Sequence, residues 1–466
     1  MKMPHFPVPT WKNNNKYNFE NITILLKALG NPHLKLPPII HIAGTNGKGS
    51  SAAMLKSIFT AAGYKTHVYT SPHLLEFNER IVIAGEKISD KELWDVCEQV
   101  RIASIKTGIE PAFFEGTTVA AFLAFANNKA DILILETGLG GRLDATNIIT
   151  NPLITLITPI SYDHMDRLGE TLSLIAKEKA GIIKPNVPCV ISSQVEEVYE
   201  VLFAKAAELN SPVFCYEYDF GIKKTIQGFT YLSQNFTYEF PAPLLAGDHQ
   251  LINAAAVIAA ISLVNKQFNV SNKTIEEGLK NTIWPARIQK IDQQKYSKLL
   301  GCNIYSNDLK NWNVKQGVSE RSVVNLREHV NPPQFYGANS LKQKSIQIWV
   351  DGAHNSSGAQ VLAAWMHDNL KPPIYLILGM TKNRNVEEFC SYFKGLTIKG
   401  YAVKVLSEPL SYSAETISQR GEISGINFNP ADSLEEAIKE ISKLSDKANI
   451  IITGSLFLAA DFFKLI

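Results

Sequence analysis

A chain of 466 residues is long enough for two or three domains, each with its own core. With 45% hydrophobic and 19% charged residues and a net charge of +2, it has an ordinary globular make-up, which argues against nucleic acid or another polyanion as its partner. Its five cysteines, at 97, 189, 215, 302 and 390, are too scattered for a disulfide frame or a zinc knuckle, which predicts reduced thiols.

The N-terminal MKMPHFPVPT carries three prolines and no apolar core, unlike a signal peptide. No apolar run approaches the roughly 20 residues that span a bilayer. A cytoplasmic α/β protein without a membrane role is expected. The first readable unit is βαβ, over 38–70. PPIIHIA is a buried strand, GTNGKGS a glycine-rich turn, and SSAAMLKSIFTAAG a helix with Met54, Leu55, Ile58, Phe59 and Ala62 on one face, stopped at Gly63. KTHVYT resumes as a strand. DILILE (131–136) and PLITLIT (152–158) are further buried strands, each followed by a polar loop and then helical sequence. Such alternation implies a mostly parallel sheet with helices on both faces and ligands at the carboxyl ends of its strands. After WPAR (284–287) the pattern breaks, and 291–345 reads as an irregular connection. It resumes with IQIWVDGAHN, IYLILGM, YAVKVL and NIIITGS. The expected domains are therefore 1–290, a nucleotide domain with a phosphate loop, and 346–466, a smaller Rossmann-like α/β domain, joined by 291–345.

The chemistry-bearing residues lie at strand ends. The turn Gly44, Thr45, Asn46, Gly47, Lys48, Gly49, Ser50, Ser51 departs from the common P-loop spacing, yet its backbone N–H groups at a helix start suit a phosphate. Lys48 would neutralise β- and γ-phosphate oxygens, and Ser50 or Ser51 would reach magnesium. Glu136, ending DILILE, offers magnesium a hard oxygen; the loop behind it holds Arg142 and Asp144. His164 follows the next strand. Lys179 shares a helix face with Leu172, Ile175 and Ala176, while Lys177 points away. A lysine on a buried face is paired, neutral or modified, unless it snorkels. As a carbon dioxide-derived carbamate it would suit a metal site with His164 and Glu136. Asn253 reads as an adenine contact or a helix cap. Arg287 is placed to reach phosphates from the domain boundary, and Asp351 and His354 to contact ribose, phosphate or a second substrate.

In order, GTNGKGS, SPHLLEFNERI, FFEGTT, ETGLGGRLDATN, the DH..D.LG stretch, EKAGIIKP, GDHQLINAA, WPAR, DGAHN and GMTKNRN resemble the folylpolyglutamate synthase/dihydrofolate synthase family, of the bifunctional bacterial type, in the Mur ligase superfamily. The resemblance implies ATP-dependent joining of L-glutamate to dihydropteroate or tetrahydrofolate through an acyl phosphate, by a monomer with ATP and two magnesium ions. It casts Ser71, Glu136, His164 and carbamylated Lys179 as ligands of one magnesium, with Ser50 on the ATP side. Asn253, Arg287 and Asp351 become ATP contacts, and His354 lies near the γ-phosphate and the incoming glutamate. Ser71, Pro72, His73, Arg80, Arg142 and Asp144 fall on the folate side. WPAR replaces the family's WPGR, Ser356 its usual proline, and the stretch between Arg287 and Asp351 is longer than the family norm. Two other readings stand beside this one: a different Mur-type amino-acid ligase, and an ATP-binding homologue without turnover.

Overall fold

The computed structural model describes residues 19–234, 236–300 and 344–466. Most of the expected connection, including Cys302, lies outside the described residues, as does MKMPHFPVPT. The larger sheet holds β1 (Ile39–Ala43), β2 (Thr66–Tyr69), β3 (Ile81–Ile83), β4 (Glu86–Lys87), β5 (Ile132–Glu136), β6 (Ile154–Ile157), β7 (Cys189–Ile191) and β8 (Val213–Cys215). Their order is β4-β3-β2-β5-β1-β6-β7-β8, parallel from β2 to β8, with β3 and β4 antiparallel at one edge. β1 lies between β5 and β6, so the phosphate loop leaves the sheet between the carboxyl ends of two neighbours. β1, β5 and β6 are buried throughout because helices cover both faces, which is why they read as continuous apolar runs.

The helix Lys48–Ala61 buries Met54, Leu55, Ile58 and Phe59 against this sheet, as its spacing predicts. Each of these side chains contributes about 1.5–3 kcal/mol of transfer free energy. Gly63 follows at φ 85°, which stops the helix at little cost.

A second, antiparallel sheet of β9 (Phe220–Lys224), β10 (Gly228–Ser233) and β11 (Phe236–Pro241) escapes the sequence reading. Phe220, Phe229, Tyr231 and Phe240 turn inward and join the same core as the helix Asp248–Val264, while polar neighbours face water. The two-residue alternation was the available signal.

The C-terminal sheet comprises β12 (Gln289–Lys290), β13 (Ser345–Val350), β14 (Ile374–Leu378), β15 (Lys399–Ala402), β16 (Phe428–Pro430) and β17 (Lys447–Thr453). Its order is β12-β13-β17-β14-β15-β16, parallel except for β12. The expected connection is not irregular at its start. Ile291, Tyr296, Leu299 and Leu300 pack into the core of this domain, and Tyr296 Oη donates to the Ile346 carbonyl at 2.8 Å. The chain thus crosses to the second domain at WPAR. No helix among the described residues is long and apolar enough to cross a membrane.

Candidate active site

The carboxyl ends of β1, β2, β5 and β6 and the facing loops of the second domain enclose one cavity of about 1160 Å³. Gly44–Ser50 form its floor, Glu136 and Lys179 one wall, Arg80 and Phe113 a side pocket, and Arg287, His354 and Arg384 the opposite lip.

The phosphate loop is braced from behind. Thr45 and Asn46 donate their N–H groups to the Pro159 carbonyl, and Thr45 Oγ1 accepts from the Ser161 N–H at 3.1 Å. Gly44 is obligatory here. Its φ is 151°, and a Cβ would stand 1.9 Å from Thr158 Oγ1. Lys48 opens the helix and turns its Nζ back onto the carbonyls of Gly44 (3.0 Å) and Thr45 (3.1 Å).

Lys179 is 4% exposed, and its Nζ also donates to the Gly44 carbonyl, at 2.7 Å. Two lysine amines therefore converge on one oxygen. Burial, with the Lys48 charge second, brings Lys179 down to about 7, so its neutral form is accessible near neutrality. The helix Leu172–Ala180 buries Ile175, Ala176 and Lys179, as the spacing predicts.

Glu136 is 3% exposed, and its Oε2 accepts from the Ser71 N–H at 3.3 Å. Burial pushes its carboxyl up to about 7, against the Lys48 charge and the Ser71 hydrogen bond. Among the described residues no cation lies within ion-pair distance of it, so the carboxylate is an unpaired hard donor facing the cavity. His164 adopts the left-handed conformation, φ 49°, at the head of the short helix Met165–Leu168. Burial brings its ring down to about 4 despite Asp163 beside it. No cluster of three His, Cys, Asp or Glu side chains preformed for a metal occurs among the described residues. A single carboxylate with hydroxyls nearby fits magnesium, which retains waters and takes ligands from substrate phosphates.

The side pocket is built around Arg80. Its guanidinium lies 5.4 and 5.5 Å from the ring centres of Phe77 and Phe113, and Nε donates to His73 Nδ1 at 2.8 Å. His73 thus orients Arg80 from behind and does not itself line the cavity, whereas Ser71 and Pro72 do. Asp144 lines the cavity, but its Oδ1 accepts from Thr146 Oγ1 (2.6 Å) and N (3.0 Å), and its Oδ2 from the Leu139 N–H (2.8 Å). It shapes the loop behind Glu136.

Besides His73, two expected residues lie elsewhere. Arg142 is not among the cavity-lining residues; it pairs with Glu178 at 2.8 Å on a half-exposed surface, with its backbone packed closely against Gly181. Ser51 is fully buried beneath the loop, away from the cavity. Asn253 lies under the phosphate loop: its Nδ2 donates to Gln250 Oε1 at 3.0 Å and its Oδ1 faces Gly47, while Gln250 Nε2 donates to Ser50 Oγ at 3.3 Å.

The WPAR turn closes the far side. Asp351 accepts the N–H groups of Ile288 and Ala353, both at 2.8 Å, which fastens the turn to DGAHN. Arg287 folds over Gly352 at the cavity edge, its Nη1 donating to the Ala286 carbonyl at 2.8 Å. Ala286, where the family pattern has glycine, is fully buried at φ 56°. The substitution Ala286→Gly is expected to leave stability and turnover nearly unchanged. Relief of the left-handed alanine contributes about 1–2 kcal/mol. The lost methyl burial and the freer unfolded chain remove about as much, roughly 1–2 kcal/mol. Thermal melting should stay within about 3 °C of the parent; a larger shift would show that one of the opposed effects dominates.

Asp163 and Arg384 were missed by the sequence reading. Both follow strands, β6 and β14, and the rule that ligand-facing residues sit at strand ends was the signal available.

This architecture defines a Mur-type ligase: residues 42–261 match the Mur ligase middle domain, and residues 339–456 the Mur ligase, glutamate ligase domain. The dihydrofolate synthase/folylpolyglutamate synthase of Bacillus subtilis (strain 168) is 31% identical, over 94% of this chain and 93% of its own. The probable dihydrofolate synthetase of Schizosaccharomyces pombe is also 31% identical, over 94% of this chain and 96% of its own. The solved structure of Mycobacterium tuberculosis folylpolyglutamate synthase complexed with ADP and AMPPCP superposes with a TM-score of 0.77 at 26% identity, covering 96% and 95% of the two chains. The chain belongs to the dihydrofolate synthase/folylpolyglutamate synthase family.

Proposed function

We propose that the chain joins L-glutamate to dihydropteroate, to reduced folates, or to both, using ATP. The observation that carries this reading is a cavity lined by both domains, with a phosphate loop on its floor and aromatic rings and Arg80 on its side. Both walls come from one chain, so a monomer suffices.

The substrate carboxylate attacks the γ-phosphorus of ATP, ADP leaves, and the acyl phosphate forms. The glutamate amine then attacks the acyl carbon, phosphate departs, and a proton is lost. Lys48, redirected from the Gly44 and Thr45 carbonyls, neutralises the transferring phosphoryl oxygens. Phe113 and Phe114 line the cavity beside Arg80, apolar rings that suit a flat pterin while Arg80 holds its polar end. Arg287 brings positive charge at the domain boundary, and His354 brings ring nitrogens from the second domain.

Glu136 and Ser71, with His164 and Lys179, would hold a magnesium ion, and Ser50 a second on the nucleotide side. Bound there, magnesium would neutralise phosphate charge. Lys179 would serve as the carbamate. Carbon dioxide adds only to a neutral amine, and the lowered lysine supplies one. The carbamate carries negative charge, so it also converts the repulsion between Lys179 and Lys48 into attraction.

Phosphate release with magnesium-ATP and L-glutamate tests the reading. Dihydropteroate, tetrahydrofolate or both should stimulate it well above the acceptor-free rate. Stimulation by neither would overturn the folate assignment and favour another Mur-type acceptor or a homologue without turnover.

A further inference from the structure

The lip of the cavity contains a charged cluster whose central carboxylate, Asp163, the reaction as described does not use. Asp163, in the loop after β6, is 9% exposed and receives four donors. Its Oδ2 lies 3.3 Å from His354 Nε2 and accepts from Asn355 Nδ2 at 3.2 Å. Its Oδ1 accepts from the His164 backbone N–H at 2.8 Å and forms an ion pair with Arg384 Nη1. Three of these donors belong to the C-terminal domain: His354 and Asn355 from the loop after β13, Arg384 from the loop after β14. A second rung lies alongside, where Asn355 Nδ2 donates to Asn46 Oδ1 at 3.2 Å, tying the same loop to the phosphate loop.

We propose that Asp163 is a positioning residue that draws the C-terminal domain onto the nucleotide domain through Arg384, Asn355 and His354, holding His354 over the cavity. This rests on the ligase reading. Taking an aspartate and an arginine out of water is costly, and the same burial would be cheaper with apolar side chains, so such a pair makes sense as a device for register. Its position decides what is registered. His354 Nδ1 lies 3.0 Å from the Gly352 carbonyl oxygen, so Asp163 holds the other end of a ring already placed within its own domain. The bond to the His164 N–H ties the same carboxylate to the left-handed residue on the opposite wall. The side chains around Asp163 are Arg384, His354 and His164; without its negative charge the Arg384 guanidinium is left buried without its partner at the seam, and the domains separate.

The test uses the full chain with Asp163→Asn, which keeps the shape and removes the charge, and Arg384→Gln, which removes the other half of the pair. With magnesium and a non-hydrolysable ATP analogue, X-ray scattering should give a larger radius of gyration for both variants than for the parent. Their kcat should fall about tenfold or more while KM for ATP moves far less, because a small misplacement of a catalytic group costs rate before it costs binding. Arg384→Lys should recover part of the kcat. Equal radii of gyration for parent and variants, or a kcat within twofold of the parent, would overturn the proposal. The scattering result does not depend on which acceptor is used, so it stands even if the folate reading fails. Should Asp163→Asn not fold, Arg384→Gln and Arg384→Lys decide by the same two readouts.

Discussion

Lys179→Ala is expected to remain folded and to lose turnover by at least about a hundredfold, the scale on which loss of a metal-site anion or a preorganised charge acts. Folding should survive because the change removes an amine whose hydrogen bond to the Gly44 carbonyl is shared with Lys48, and whose charge burial disfavours. Alanine is also the strongest helix former for a position inside Leu172–Ala180. Truncation to alanine opens space beside the cavity, so added acetate or propionate should restore part of the rate by standing in for the carbamate. An independent readout is available: isotopically labelled bicarbonate should give a carbamate carbonyl resonance in the parent and none in Lys179→Ala. Full activity in the variant without added acid would place Lys179 outside the chemistry. Absence of the labelled signal from an active parent would leave the lysine as a plain amine.

Lys48→Ala should also lower kcat by about a hundredfold or more, since no other lysine lies within the phosphate loop to replace its charge at the transferring phosphoryl group. This loss should not respond to added carboxylic acids, because the missing group is a cation. The two variants thus separate within one assay: rescue by acetate marks the anion site, and its absence marks the phosphate side. A Lys48→Ala enzyme with near-parent phosphate release would remove the lysine from the reaction and assign it to bracing the Gly44–Thr45 turn.

Much of this protein was determined by sequence alone. Buried parallel strands need apolar residues on both faces, so β1, β5 and β6 announce themselves, and a glycine-rich turn between strand and helix announces a phosphate site. The buried face of Lys179 followed from helical periodicity, which is local. The antiparallel β9–β11 sheet was equally local in its alternation, though a reading tuned to buried parallel strands passed over it.

What only the tertiary structure decided depends on residues far apart in the chain. Arg142 and Asp144 share a glycine-rich loop, yet one pairs with Glu178 at the surface and the other shapes the cavity wall, because the partner of Arg142 comes from a helix 36 positions away. Lys48 and Lys179 meet at Gly44 although 131 positions separate them, and burial there, with the Lys48 charge second, produces the depressed lysine. Asp163 meets Arg384 across the domain seam. A sequence fixes which side chains are polar and which face of an element they occupy. Burial and neighbouring charge, which set protonation and strength of pairing, exist only once the two sheets have been brought together.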